Sequence, residues 1–140
     1  MIFLDFKKFI DILPLTGRIM AIDWGSKRTG VAVTDSGREF VFPRPAVLPG
    51  DIAVEDDFMG ILIGLPAPGK TADRIMEFAE GLTARTDIPI LMYNEALTSS
   101  AAEGRLHDAG INSKNQKGRL DSVAALVMLE EFLGRLKNEQ

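Results

Sequence analysis

Cysteine is absent from the 140-residue chain, which excludes disulfide frameworks, thiolate zinc sites and cysteine nucleophiles. Nothing then points to an oxidising compartment, and the chain reads as cytoplasmic. Histidine occurs once, as His107 in RLHDAG, near the end of a helix expected to begin around Thr98; the reading there is a solvated helix-end imidazole rather than a catalytic one. No apolar run reaches membrane-spanning length. The opening MIFLDFKKFIDILPLTG is apolar but broken by Lys7, Lys8 and Asp11, without the signal-peptide order of charge, apolar run and small-residue cleavage site. An excess of positive charge is also missing. The formal net charge is −4 and the pI about 5.0, against the basic domain that bulk electrostatic binding of nucleic acid usually requires.

What is present is enough apolar material, 46% of residues, for one ordinary core and hence one domain. Residues 18–23 (RIMAID) and 29–34 (TGVAVT) read as strands joined by the turn-rich link WGSKR. Their apolar residues run consecutively, as in central strands buried on both faces. Asp35-Ser36-Gly37 is a second turn, and REFVFPRPAVL is a third strand that Pro43 and Pro45 place at an edge. After Pro49-Gly50 come a buried strand, GILIGL, a helix over about 71–85, a strand, IPILMY, and two further helices. Three antiparallel strands followed by alternating strands and helices make an α/β fold with a mixed five-stranded sheet flanked by helices. Before residue 18, Phe3, Phe6, Ile10 and Leu13 recur at helical spacing until Pro14 and Gly17 stop the pattern. Residues 1–17 are therefore expected as a helical extension outside the main sheet, with 18–140 as the single domain.

Three carboxylates stand where a hydrolytic metal site would want them. Asp23 ends the first strand just before Trp24-Gly25-Ser26, where the backbone turns away and a ligand can approach; the alternative is an Asp bonded to its own turn. Glu95 follows IPILMY and lies just outside a helix that starts at Thr98 or at Ser100, where Ser100-x-x-Glu103 matches a capping box; the alternative is a solvated loop carboxylate. Asp121 heads the stripe Asp121, Ala125, Met128, Phe132, Leu136 of the last helix and so faces the core. Its alternative is an Asp placed in a first helical turn by the helix dipole. If the three converge, two charges about 4 Å apart repel by roughly 4 kcal/mol at an effective dielectric of about 20, a large share of a domain stability of about 5–15 kcal/mol. A proton or a metal must relieve them. Oxygen ligands at an open site suit Mg²⁺ or Mn²⁺, and two such ions can activate water on one side of a phosphate and stabilise the leaving oxygen on the other. Two bound divalent ions would also offset the formal charge of −4.

Basic residues cluster in Ser26-Lys27-Arg28 and in Lys114-Asn115-Gln116-Lys117-Gly118-Arg119. Lys27, Arg28, Lys117 and Arg119 are therefore candidate substrate contacts, with solvated loops as the alternative. Thr98 and Ser99 read as helix caps rather than nucleophiles; Thr98, close to Glu95, is also a candidate substrate contact. The glycines of GILIGLPAPGK lack Walker spacing, although Lys70 and Arg74 can face phosphate.

Four blocks in order, AIDWGSKRTGVAVTD, ILIGLP, NEALTS and LDSVAALVMLEEFL, running from about Arg18 to Leu136, resemble the YqgF/RuvX family of Holliday junction resolvase-like proteins, also described as pre-16S ribosomal RNA nucleases. The resemblance implies a ribonuclease H-like fold and carries acidic catalytic and metal-binding roles onto Asp23, Glu95 and Asp121. Where the family pattern reads Asp-Glu-Arg-Leu-Thr-Thr, this chain has Asn94-Glu95-Ala96-Leu97-Thr98-Ser99, losing one carboxylate and one guanidinium. The loop after GLP is shorter than the family's, and residues 1–17 match no part of its pattern. The expected function is a Mg²⁺- or Mn²⁺-dependent endonuclease acting on structured nucleic acid, first of all a 16S ribosomal RNA precursor, as a monomer or homodimer without membrane association. The alternatives are cleavage of four-way, branched DNA junctions and a non-catalytic RNA- or ribosome-binding protein of the same fold. The DWGSKRTG turn also resembles the phosphate-binding hairpin of actin-like ATPases, but 140 residues leave no room for their second lobe.

Overall fold

The consecutive apolar runs become the middle of one sheet in the computed structural model, which describes residues 1–94 and 113–139, with side chains for 1–94 and 122–139. The strands are β1 (Ile2–Phe3), β2 (Arg18–Asp23), β3 (Thr29–Thr34), β4 (Val41–Val47), β5 (Phe58–Leu65) and β6 (Ile90–Asn94), in the spatial order β1-β6-β5-β2-β3-β4. β2, β3 and β4 form an antiparallel meander, with β4 at the edge as Pro43 and Pro45 require. β5 pairs parallel with β2, β6 with β5, and β1 with β6.

Alternation along the central strands feeds two cores. Met20 and Ile22 of β2 pack with Ile61, Ile63 and Met92, and with Ile75, Ala79 and Leu82 of α2 (Lys70–Thr83). Ile19 and Ala21 point the other way, toward Leu62, Leu91 and Tyr93, Phe9 of α1 (Phe6–Ile12), and Ala125, Met128, Phe132 and Leu136 of α3 (Ser113–Glu139). The apolar stripe read along the last helix is thus the face it buries, and each fully buried Leu, Ile or Phe contributes about 1.5–3 kcal/mol. The α/β class and the strand sequence agree with the reading of the chain. The helix expected from Thr98, with its capping box and His107, lies outside the described residues.

The sheet has six strands rather than five because Ile2 and Phe3 pair with Ile90 and Leu91. Their helical spacing to Phe6 conceals this. Asp5 accepts the Lys7 N–H at 3.2 Å and caps α1, so the helix cannot extend back through Phe3. Residues 1–17 therefore add a strand to the sheet edge and rings to the core: Phe6 and Phe9 stand edge-on to Phe132, with centroids 5.6 and 6.0 Å away. Arg38, at the β3–β4 turn with φ 58°, fastens this segment. The residue is buried, 8% exposed, and its guanidinium donates to the carbonyls of Pro14 (2.7 Å), Thr16 (3.1 Å) and Gly17 (2.7 Å), while burial lowers its pKa.

Candidate active site at the carboxyl edge of the sheet

Parallel pairing brings the carboxyl ends of β2, β5 and β6 to one edge, where Ile22, Ile63 and Met92 lie in register. Ligands of open α/β sheets bind outside such strand ends. Asp23 is the last residue of β2, partly exposed, and alternation with Ile19 and Ala21 puts it on the face that α3 covers. Its partner on β3 is Gly30, and on β5 the residue after Ile63 is Gly64. Neighbouring Cβ atoms on one sheet face stand about 4.5–5.5 Å apart, so two glycines leave space on both sides of the carboxylate. From the sequence, Gly30 reads only as a glycine that permits tight hairpin geometry, and Gly64 was not singled out. The available signal was glycine inside strand patterns, in TGVAVT and GILIGL, where it weakens a strand unless something must approach closely.

The link after Asp23 is fixed by local contacts. Thr29 is fully buried; its hydroxyl donates to the Gly25 carbonyl at 3.0 Å and accepts the Gly25 N–H at 3.3 Å. A Cβ on Gly25 would stand 2.2 Å from the Arg28 carbonyl oxygen, so a side chain does not fit. Trp24 packs against the α2-side core. Lys27 and Arg28 are exposed in this link beside Asp23, a position compatible with contact to a phosphate backbone.

α3 is anchored at the same level. The buried Ser122 donates its hydroxyl to the Arg44 carbonyl, Arg44 pairs with Val31, and Val31 with Ile22. Asp121, next to Ser122, therefore occupies a helix position close to the level of Asp23. It stands eight residues after Ser113, which corrects the first-turn alternative: a helix dipole acts within about one turn. Lys117 and Arg119 likewise belong to α3 rather than to a loop. Of these residues, and of Asp121, only the backbone is described. Glu95 and Thr98 lie outside the described residues; Glu95 is the next residue in the chain after β6.

Among the described residues no three His, Asp or Glu side chains meet to hold a metal; Asp23 is the one member of the trio whose side chain is described. Its strand-end position and glycine-flanked space fit one oxygen donor of a hard divalent cation. Beyond β5, the same edge opens into a cleft of about 620 Å³ lined by Phe6, Leu65, Pro66, Tyr93, Asn94 and Arg135. The Tyr93 hydroxyl donates to Glu131 at 3.1 Å and accepts from Arg135 at 3.3 Å, and burial is the main cause that raises its pKa.

Residues 17–135 match the family model RuvX, described as Holliday junction resolvase. A protein of Maridesulfovibrio salexigens, provisionally named pre-16S rRNA nuclease, is 36% identical over 133 residues, which cover 84% of this chain and 98% of that one. A Rickettsia akari protein of the same name is 29% identical and aligns over 99% of both chains, so residues 1–17 do have a counterpart among relatives. In structure, the chain is similar to the Fowlpox virus resolvase crystallised with its substrate Holliday junction DNA, with a TM-score of 0.54 at 11% identity, over 87% of this chain and 98% of that one. That likeness concerns the fold.

Proposed function

The chain belongs to the RuvX family, and from that premise we propose that it is a metal-dependent endonuclease that hydrolyses phosphodiester bonds in structured nucleic acid, with the 16S ribosomal RNA precursor as its substrate and the cytoplasm as its place of work. The observation that carries the reading is Asp23 at the carboxyl end of β2, flanked by Gly30 and Gly64, on the face where α3 brings its Asp121 position to the same level. In this proposal residues 18–140 are the nuclease domain, residues 1–17 are an extension packed on it, and the ligands are Asp23, Glu95 and Asp121.

Mg²⁺ or Mn²⁺ held there would supply a water activated for attack and charge stabilisation at the leaving oxygen. The chain's own work is positional. Gly25 and Thr29 hold the turn that aims Asp23. Lys27 and Arg28 on the adjoining link, with Lys117 and Arg119 on α3, contact phosphates, while Thr98 contacts substrate near Glu95. Fixing ligand and phosphate geometry in this way is worth orders of magnitude in rate.

The family's description favours a second substrate, the four-way DNA junction. A junction resolvase must make two symmetric cuts, which calls for a two-fold dimer and ample positive surface, whereas the formal charge is −4. The test incubates a 16S precursor fragment and a four-way junction, side by side, with wild type and Asp23→Asn in Mg²⁺ or Mn²⁺. RNA cleavage that disappears in Asp23→Asn is expected. Symmetric junction nicking with intact RNA would reverse the choice of substrate, and no cutting of either would favour a non-catalytic binder.

A further inference from the structure

The cleft beyond β5 opens on the same carboxyl edge as the carboxylate site, with Asn94, the residue before Glu95, in its lining, and the N-terminal segment, through Leu4 and Phe6, builds one of its walls. We propose that it is a nucleobase pocket, which takes one unpaired base of the RNA strand whose backbone crosses the carboxyl edge at Asp23. The inference rests on the nuclease reading and adds to it how that site selects and holds its strand.

Size and lining suit a base. The cleft measures about 620 Å³, within the roughly 300–1,000 Å³ of small-molecule sites. Leu4, Leu65 and Pro66 supply apolar surface, and polar groups arrive from Tyr93, Asn94 and Arg135. Arg135 is an exposed residue whose guanidinium is held: its carbon lies 3.9 Å from the Phe6 ring centroid and 5.6 Å from that of Tyr93, and Nη1 donates to the Tyr93 hydroxyl. Among the described residues, Tyr93 is its one hydrogen-bond partner. Guanidinium planes and aromatic rings are the surfaces on which splayed-out bases stack.

Position and charge support this occupant. Leu65 and Asn94 are in register at the ends of β5 and β6, and β5 separates β6 from β2. At about 4.8 Å per strand the cleft mouth stands about 10 Å along the edge from Asp23, a short stretch of backbone. A protein of net charge −4 cannot rely on bulk attraction to a polyanion. Burying a base gives affinity that does not depend on charge. It also selects unpaired strands, because a stacked, paired base would first have to flip out.

The test uses full-length Asp23→Asn protein, to bind without cutting, and single-stranded RNA carrying 2-aminopurine at successive positions. Ala67→Trp fills the cleft from an exposed loop position, Arg135→Ala removes the cation, and Arg135→Lys keeps charge without a planar surface. The expected result is a fluorescence change at one base position, lost in Ala67→Trp and Arg135→Ala together with about tenfold of affinity, with the melting temperature unchanged in Ala67→Trp. Arg135→Lys should restore little. Unchanged binding in Ala67→Trp, full rescue by Arg135→Lys, or a dimer that Ala67→Trp dissociates would each overturn the pocket. Wild type that cuts RNA while Ala67→Trp binds normally sinks the pocket alone; loss of binding in Ala67→Trp without any cutting by wild type sinks the nuclease reading alone.

Discussion

Replacing Gly25 by alanine tests how Asp23 is held. The added Cβ would stand 2.2 Å from the Arg28 carbonyl oxygen and 3.3 Å from its carbon, so the link must open by roughly 1 Å to reach an ordinary contact. Opening it breaks the two Thr29 hydroxyl bonds to Gly25 at 3.0 and 3.3 Å, each worth about 1 kcal/mol, and the residual crowding costs about 1–3 kcal/mol. The sum is about 3–5 kcal/mol before relaxation, and a loss of about 3 kcal/mol corresponds to a melting temperature about 10 °C lower for a domain of this size. Activity should fall further than stability, because a displacement of about 1 Å at a catalytic ligand costs on the order of 100-fold. Thr29→Val removes the same bonds without the clash and should lie between wild type and Gly25→Ala. Gly37→Ala is the control: its Cβ would meet Asp35 Oδ2 at 3.5 Å, an ordinary distance. Melting curves and initial cleavage rates in Mn²⁺ read the outcome. A Gly25→Ala protein within 2 °C of wild type and equally active would refute the claim that this turn positions Asp23.

Arg38→Ala strips donors from the carbonyls of Pro14, Thr16 and Gly17 and should cost about 3 kcal/mol in urea denaturation. Arg38→Gly should cost about 1 kcal/mol less, because φ is 58° there; equal losses would contradict the assigned strain. Asp121→Asn should raise the metal-free melting temperature and abolish the rise that millimolar Mg²⁺ or Mn²⁺ gives wild type; a metal-insensitive wild type would count against the site. Arg44, bonded to Glu55 at 2.9 and 3.3 Å, holds that carboxyl below its ordinary 4.5. Its stabilisation is thus present above pH 4.5 and lost as pH falls through the lower folded value. With the Glu55 side chain 41% exposed, the effect stays below about 1 kcal/mol. Glu55→Gln should flatten the acid limb of stability by that amount, and an unchanged limb would show that the pair contributes nothing.

Consecutive burial made the central strands legible, since Met20, Ala21 and Ile22 serve both faces of the sheet. Pro43 and Pro45 marked the edge, and the period of Ala125, Met128, Phe132 and Leu136 marked the buried face of α3. Two residues of strand at Ile2–Phe3 were not legible, because a pair that short has no period of its own and Phe3 fell into step with the helix after Asp5. The early start of α3 was hidden by polar and glycine residues between Ser113 and Arg119, a composition shared by solvated loops. In the candidate site, the strand-end position of Asp23 was legible from the end of an apolar run. The roles of Gly30, Gly64 and Ser122 depend on which strands become neighbours, and local sequence does not carry that.

The most direct test of the central claim is to titrate Mn²⁺ into isotopically labelled protein and follow paramagnetic broadening of backbone amides. If Asp23, Glu95 and Asp121 share a divalent cation at the carboxyl edge, broadening should concentrate at the ends of β2 and β6 and around Asp121 and Ser122, and vanish in Asp23→Asn. Broadening centred elsewhere, or unchanged in Asp23→Asn, would contradict it.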